Sequence, residues 1–216
     1  MTKIYPSGDA HHNSDQRQPA LKLNVNQGLF QYDSAFDWLY PEHIETKSRR
    51  HWTPLAVAQK AAEFLAETDA RVLDIGSGTG KFCLTGAYHF PDTFFYGVEQ
   101  RHELVLYAEE AKTRLRLPNA HFIYANMTQV KFGEFDHFYF YNAFYENIDP
   151  EDPIDDTIAT SYSLYTYYTR YLFNELEKKP AGTRLVTFHT TCEEVPPSYR
   201  LADMDYDTLL KMWIRK

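Results

Sequence analysis

Three glycines stand at alternate positions, Gly76, Gly78 and Gly80, in the stretch VLDIGSGTGKF from Val72 to Phe82. A short apolar run carrying one acid, Asp74, leads into them. Glycine accepts backbone angles closed to other residues and lets a ligand approach the main chain. A buried strand feeding such a turn is an arrangement that binds nucleotides and related cofactors. A carboxylate closing the next strand completes it by accepting from two ribose hydroxyls. Glu99 closes TFFYGVE, 23 positions beyond Gly76, against the roughly 20 that such folds use.

The loop fails as a triphosphate site. Gly80-Lys81 is followed by Phe82 where a hydroxyl should hold magnesium, and Ile75 stands where the first P-loop glycine belongs. The dinucleotide fingerprint G-x-G-x-x-G is weakened, because Lys81 occupies its third glycine position.

The elements around the loop alternate. ARVLDIG, TFFYGVE, AHFIYAN, FDHFYFYN (Phe135 to Asn142) and TRLVTFHTT (Thr183 to Thr191) read as strands. GKFCLTGAYHF, RHELVLYAEEAKTRLRL and SYSLYTYYTRYLFNELEKK read as helices between them. This pattern predicts a parallel sheet covered on both faces, with ligands at the carboxyl ends of its strands. SYRLADMDYDTLLKMWIRK ends the chain as two strands around a turn at Asp205 to Asp207, which requires an antiparallel neighbour. Upstream, TPLAVAQKAAEFLAE predicts a helix with Thr53 as N-cap and Pro54 at the first helical position. Its apolar face is Leu55, Val57, Ala58, Ala61, Ala62 and Leu65.

Three regions follow. Residues 1–25 form a polar arm without periodicity, expected to be flexible; the pair His11-His12 in it reads as a weak metal binder or as nothing. Residues 26–52, rich in aromatics, form a cap segment, and residues 53–216 form the main domain. The 216 residues are 44% hydrophobic and 16% aromatic, enough for one globular core. Net charge is -8, so no non-specific nucleic-acid binding is expected. KSRRHW (Lys47 to Trp52) is the dense basic stretch, read as a solvated loop before a helix or as a local basic patch. Cys83 and Cys192 have no metal-ligand spacing and read as reduced and packed. No signal peptide or membrane span is legible, and a soluble, cytoplasmic protein is expected.

VLDIGSGTG resembles the first motif of the class I S-adenosylmethionine-dependent methyltransferases: apolar strand, acid, alternate glycines. The likeness runs over about residues 53–216 and is strongest from Val72 to Asn142. It implies a doubly wound, Rossmann-like α/β sheet of order 3-2-1-4-5-7-6 with strand 7 antiparallel, under a short N-terminal helical cap. It implies S-adenosylmethionine as cofactor, S-adenosylhomocysteine as product, and no metal. The implied cofactor contacts in the first motif are Asp74 on the ammonium side of the methionine, Gly76, Ser77, Gly78, Thr79, Gly80 and Phe82. Glu99 would take the ribose, with Gln100 and Arg101 beside the adenine. Asn126 would accept from the adenine amino group, and Met127 would pack on the ring while its N–H donates to it.

The exit of the fourth strand, Asn142-Ala143-Phe144-Tyr145, is similar to the Asn-Pro-Pro-Tyr motif of amino-group methyltransferases and, more distantly, to the histone lysine methyltransferases that lack a SET domain. By that likeness Asn142 and Tyr145 hold the acceptor, and Asn142 also touches the cofactor. The absent prolines put amine chemistry in question, not the location. Glu146 and His189 are the base candidates. Six acids, Glu146, Asp149, Glu151, Asp152, Asp155 and Asp156, follow the exit and either steer a basic substrate or form a solvated loop. Tyr162, Tyr165, Tyr167, Tyr168 and Tyr171 either pack on the sheet or wall the acceptor. Three functions remain open: methyl transfer to a protein side chain or other amine, methyl transfer to oxygen or carbon of a small molecule, and cofactor binding without catalysis.

Overall fold

Val72, Leu73, Asp74 and Ile75 have almost no exposed surface, as a strand covered on both faces must. They belong to β1 (Arg71–Ile75) in a computed structural model that describes residues 28–149 and 154–216. The expected arm, His11-His12, Glu151 and Asp152 lie outside the described residues.

β1 is joined by β2 (Phe94–Glu99), β3 (Ala120–Tyr124), β4 (His137–Tyr141), β5 (Arg184–Phe188), β6 (Tyr199–Asp205) and β7 (Leu210–Arg215). One seven-stranded sheet results, in the order β3-β2-β1-β4-β5-β7-β6. β1 to β5 are parallel, and β7 runs antiparallel to both β5 and β6. This is the order that the resemblance implied. The chain winds outward through β2 and β3 on one side of β1, then crosses to β4 on the other. The crevice above β1 and β4 is therefore the switch point at which such sheets bind ligands.

Side chains alternate across the sheet with the period of two that a strand imposes. Val72 and Tyr139 pack on one face with α4 (Leu55–Leu65) and α5 (Lys81–His89). Leu73, Ile75, Phe138 and Phe140 pack on the other with Leu172 and Leu176 of α7 (Tyr162–Glu177). The expected apolar face of α4 is buried in full. α6 (His102–Leu115) covers β2 and β3. No helix among the described residues is long and apolar enough to cross a membrane.

The cap segment becomes α1 (Asp33–Asp37), α2 (Glu42–Glu45) and α3 (Ser48–His51). Phe30, Phe36, Tyr40, Ile44 and Trp52 sink into the same core as α4 and α5, and Phe30 stacks on Tyr88 with centroids 4.1 Å apart. Thr53 is not the N-cap of α4. Pro54 takes that position, and the Thr53 hydroxyl bonds the Tyr139 hydroxyl at 2.9 Å. The cap is supplied in trans instead: the Leu55 N–H donates to Asp33 Oδ1 at 2.9 Å. Sequence order hides such a cap, because its acceptor lies 22 residues upstream.

Lys81 opens α5, directly after Gly80, and is only 3% exposed. A cation in the first helical turn faces the positive end of the helix dipole, and burial strips its water. Both penalties are offset by α1. Asp33 Oδ1 and Asp37 Oδ1 each lie 2.6 Å from Lys81 Nζ. The Phe36 and Trp52 rings lie 5.4 and 5.8 Å from the same ammonium. Lys81→Met leaves Asp37 buried without its counter-ion, and is expected to lower the unfolding free energy by about 3 kcal/mol in urea denaturation. An unchanged urea midpoint would show that the cap is not held by this pair.

Candidate active site

A cavity of about 790 Å³ opens at the carboxyl ends of the central strands. Gly76 and Gly78 wall it from the first loop, Glu99, Gln100 and Arg101 from the end of β2. Asn126 and Met127 enter from beyond β3, and the Asn142-to-Glu146 turn from beyond β4. His189, just past β5, walls the same cavity. So do Lys47, His51 and Trp52 of the cap, which the sequence did not single out as site residues. Their signal was present: KSRRHW is the dense basic stretch and directly precedes the first long helix.

The three glycines do three different jobs. At Gly76, φ is +77° and a Cβ would stand 2.3 Å from the Ala143 Cβ, so the loop and the β4 exit meet only because the side chain is missing. At Gly78, φ is +54° and a Cβ would meet nothing within 4 Å, leaving its backbone open to a ligand. Gly80 does not line this cavity; a Cβ there would strike the Phe122 ring at 2.4 Å, so it serves helix-on-sheet packing. Phe82, expected to touch the cofactor, instead stacks on Tyr139 in the core with centroids 3.9 Å apart. Phe82 also borders a second, small cavity of about 30 Å³, together with Asp74, Ser77 and Thr79.

That small cavity carries the chemistry of a polar ligand end. Ser77 Oγ and Thr79 Oγ1 are buried with no hydrogen-bond partner among the described residues, an arrangement that a bound polar group resolves. Asp74 is 3% exposed. Burial first, then the charge of Glu99, pushes its carboxyl up to about 8, against the hydrogen bond from Cys83 Sγ at 3.6 Å. A cationic ligand such as the methionine ammonium reverses that penalty. Gly76 and Tyr141 border both cavities, so the two are adjoining parts of one crevice.

Glu99 is held for hydroxyl binding. Its Oε2 accepts the Gly78 N–H at 3.1 Å and its Oε1 accepts the Arg101 N–H at 2.8 Å. Each carboxylate oxygen keeps a further lone pair for the cavity. Burial raises the Glu99 carboxyl from its ordinary value while the two N–H groups and the guanidinium oppose this.

Arg101 contributes its backbone to Glu99, but its side chain turns to acids rather than to an adenine. Nη2 and Nη1 pair with the two oxygens of Glu146 at 2.7 and 3.2 Å, and Nε donates to Asp155 at 3.0 Å. Glu146 is therefore a fixed partner of Arg101, which counts against its role as a free general base. Asn126 is corrected as well. Its amide oxygen accepts the Thr128 N–H at 3.0 Å and the Thr128 hydroxyl at 2.9 Å, so both lone pairs are taken. It has no acceptor left for an adenine amino group.

At the β4 exit, Asn142 has φ +41°, a left-handed angle uncommon for a side-chain-bearing residue. Its carbonyl accepts the Tyr145 N–H at 2.9 Å, and its side chain makes no hydrogen bond among the described residues. Phe144, where the amino-group motif has proline, is buried between Phe140 and Tyr168 at 4.7 and 5.6 Å. Tyr145 is exposed. Of the α7 tyrosines, Tyr168 walls the cavity, while Tyr162 and Tyr167 are exposed.

The fold and this crevice define a cofactor-binding domain of the doubly wound class. Residues 66–158 match a family model described as a methyltransferase domain. The chain is similar to TrmN from Thermus thermophilus (TM-score 0.53, 17% identity, covering 79% of this chain and 51% of that one). It is also similar to an RNA methyltransferase from Salinibacter ruber solved with S-adenosyl-L-homocysteine (TM-score 0.50, 18% identity, covering 76% and 90%). Residues 66–158 therefore match a methyltransferase domain, and they lie in a sheet with the strand order of the class I S-adenosylmethionine-dependent methyltransferase fold. A tRNA (guanine-N(7)-)-methyltransferase of Synechococcus sp. (strain JA-3-3Ab) is 49% identical over 107 residues, which are 50% of this chain and 37% of that protein. The enzyme of the same description from Microcystis aeruginosa is 34% identical over 86 residues, 40% and 41% of the two chains. The chain thus spans about two fifths of the length of the curated relatives it matches.

Asp74 makes stability depend on pH. Its folded value lies near 8 and its unfolded value near 4, so the folded state holds an extra proton between them. Stability from this group is full below about pH 4 and falls as pH rises toward 8, by up to about 1.4 kcal/mol per pH unit. Asp74→Asn removes that slope. Urea midpoints of the two proteins at pH 5 and pH 8 should diverge, the variant gaining on the wild type as pH rises. Parallel midpoints would show Asp74 to be ionised throughout.

Proposed function

We propose that this protein transfers the methyl group of S-adenosylmethionine to a ring nitrogen of a purine base in RNA. One observation carries the transfer. Gly78 and Glu99 on the β2 side of β1, and Asn142 on the β4 side, wall one continuous cavity. A cofactor held at the first and an acceptor held at the second would meet without crossing solvent. When bound, S-adenosylmethionine supplies an electrophilic sulfonium methyl. Glu99 would hold the ribose, and Ser77, Thr79 and Asp74 the methionine end.

The acceptor reading is supported by the tRNA (guanine-N(7)-)-methyltransferases among the relatives and by the charges around the cavity. Attack by a purine N7 lone pair removes no proton, so it needs no general base and leaves a cationic ring. The pairing of Glu146 with Arg101 suits that chemistry. Glu99, Glu146 and Asp155 outnumber the one guanidinium they surround, and such excess negative charge stabilises a developing cation. Trp52, Tyr141 and Phe144 offer rings against which an unstacked base can lie. The net charge of -8 favours recognition of a single base over a grip on many phosphates.

An amine acceptor is the second reading, favoured by the Asn142 side chain, which has no hydrogen-bond partner among the described residues. It requires a base, a role that His189 on the cavity wall would take. Incubation with isotopically methyl-labelled S-adenosylmethionine, separately with unmodified tRNA transcripts and with lysine- and arginine-rich peptides, separates the two. Label is expected in a methylated purine nucleoside, at a rate nearly flat from pH 7 to 9. Label in the peptides alone, climbing with pH, would replace this reading by the amine one.

Glu99→Ala is expected to weaken S-adenosylhomocysteine binding by about 1–3 kcal/mol, roughly 5- to 150-fold, in calorimetric titration. Undiminished affinity would place the ribose elsewhere. Asn142→Ala should lower kcat/KM by about tenfold or more while leaving that binding within about twofold. An equal loss in both would make Asn142 a cofactor contact only.

A further inference from the structure

The hydrogen-bond network around Asn126 has a direction, and it decides what the cavity wall can read. The Asn126 oxygen is fixed by a backbone donor, the Thr128 N–H at 3.0 Å, so the amide cannot be turned over. Its NH2 group must then donate, and it does so twice, to Gln100 Oε1 at 3.1 Å and to the Tyr168 hydroxyl oxygen at 2.9 Å. The Gln100 amide is fixed in turn: oxygen toward Asn126, NH2 away from it. Tyr168 receives a hydrogen bond, so its own proton is directed elsewhere. Neither that proton, the Gln100 NH2 nor the Met127 backbone N–H has a partner among the described residues. All three residues wall the large cavity. The turn bearing Asn126 is further tied down, because Gln129 accepts its N–H at 2.9 Å and Tyr171 donates to the Thr128 carbonyl at 3.1 Å.

The wall therefore offers donors where the family resemblance expected an acceptor. We propose that Tyr168 and Gln100, set by Asn126, are specificity-determining residues that donate to ring nitrogens of the cofactor's adenine. The inference rests on the reading that S-adenosylmethionine occupies this cavity. Adenine carries three ring acceptors, N1, N3 and N7, which match a donor edge; its amino group does not. Tyr168 belongs to α7, beyond the β4 exit, so cofactor recognition here draws on the half of the chain that also shapes the acceptor end.

Calorimetric titration with S-adenosylhomocysteine and its 1-deaza, 3-deaza and 7-deaza analogues tests this. Each analogue replaces one ring nitrogen with C–H. Wild type is expected to bind at least one of them about 5- to 20-fold more weakly than the parent compound, the scale of one hydrogen bond to a buried donor. Tyr168→Phe should weaken the parent by a similar factor and erase the penalty for one such analogue. Asn126→Asp turns both neighbours' hydrogens inward and should erase it too, although Tyr168 and Gln100 remain. Identical analogue ratios in wild type and both variants would overturn the proposal, even with the parent bound tightly. Failure of wild type to bind the parent compound would overturn it together with the cofactor reading, and so tells the two failures apart.

Discussion

The ammonium of Lys81 is the point on which the crevice depends. It sits at the wrong end of α5 for a cation and has almost no access to water. Only the carboxylates of α1 make that position tolerable, and they bring the whole cap with them. Asp33 also accepts the first free N–H of α4. Tyr40 donates to the Thr79 carbonyl inside the glycine loop. One buried charge thus links the cap, the first long helix and the ligand loop, and it places Trp52 and Lys47 over the cavity. A cap held by apolar contact alone would not specify that register.

A second charge organises the opposite wall. Arg101 gathers Glu146, Asp155 and Glu99 around one guanidinium and so ties the β2 end to the segment after β4. The cluster remains net negative. A cationic sulfonium, and a purine that becomes cationic on methylation, both gain from that field, whereas a polyanionic backbone does not. Acidic composition and an RNA base as acceptor are therefore compatible, provided that one base does the docking.

The curated relatives match over about two fifths of their own length, and the family model ends at residue 158. α7 and β5 to β7 lie beyond that model. Tyr168 and His189, which wall the cavity from this part, must be read from the geometry alone. The family match takes in the glycine loop, Glu99 and the Asn142-to-Glu146 turn, whereas Tyr168 and His189 lie outside it.

Much of the architecture was legible in the residues. Period-two burial, the strand–helix alternation and the G-x-G-x-G turn with Glu99 beyond it are local patterns, and local patterns survive folding because backbone geometry sets them. The glycine loop, the five parallel strands and the terminal antiparallel pair are accordingly where the sequence placed them. What it could not reveal depends on partners far along the chain. Thr53 lost its capping role to Asp33, Asn126 lost its acceptor to Thr128 and its donors to Gln100 and Tyr168, and Glu146 was claimed by Arg101. A polar side chain has few hydrogen-bonding sites, and which neighbour fills them is settled only when distant segments meet. Sequence therefore determined the frame and the kind of ligand; tertiary structure decided which groups remain free to hold it.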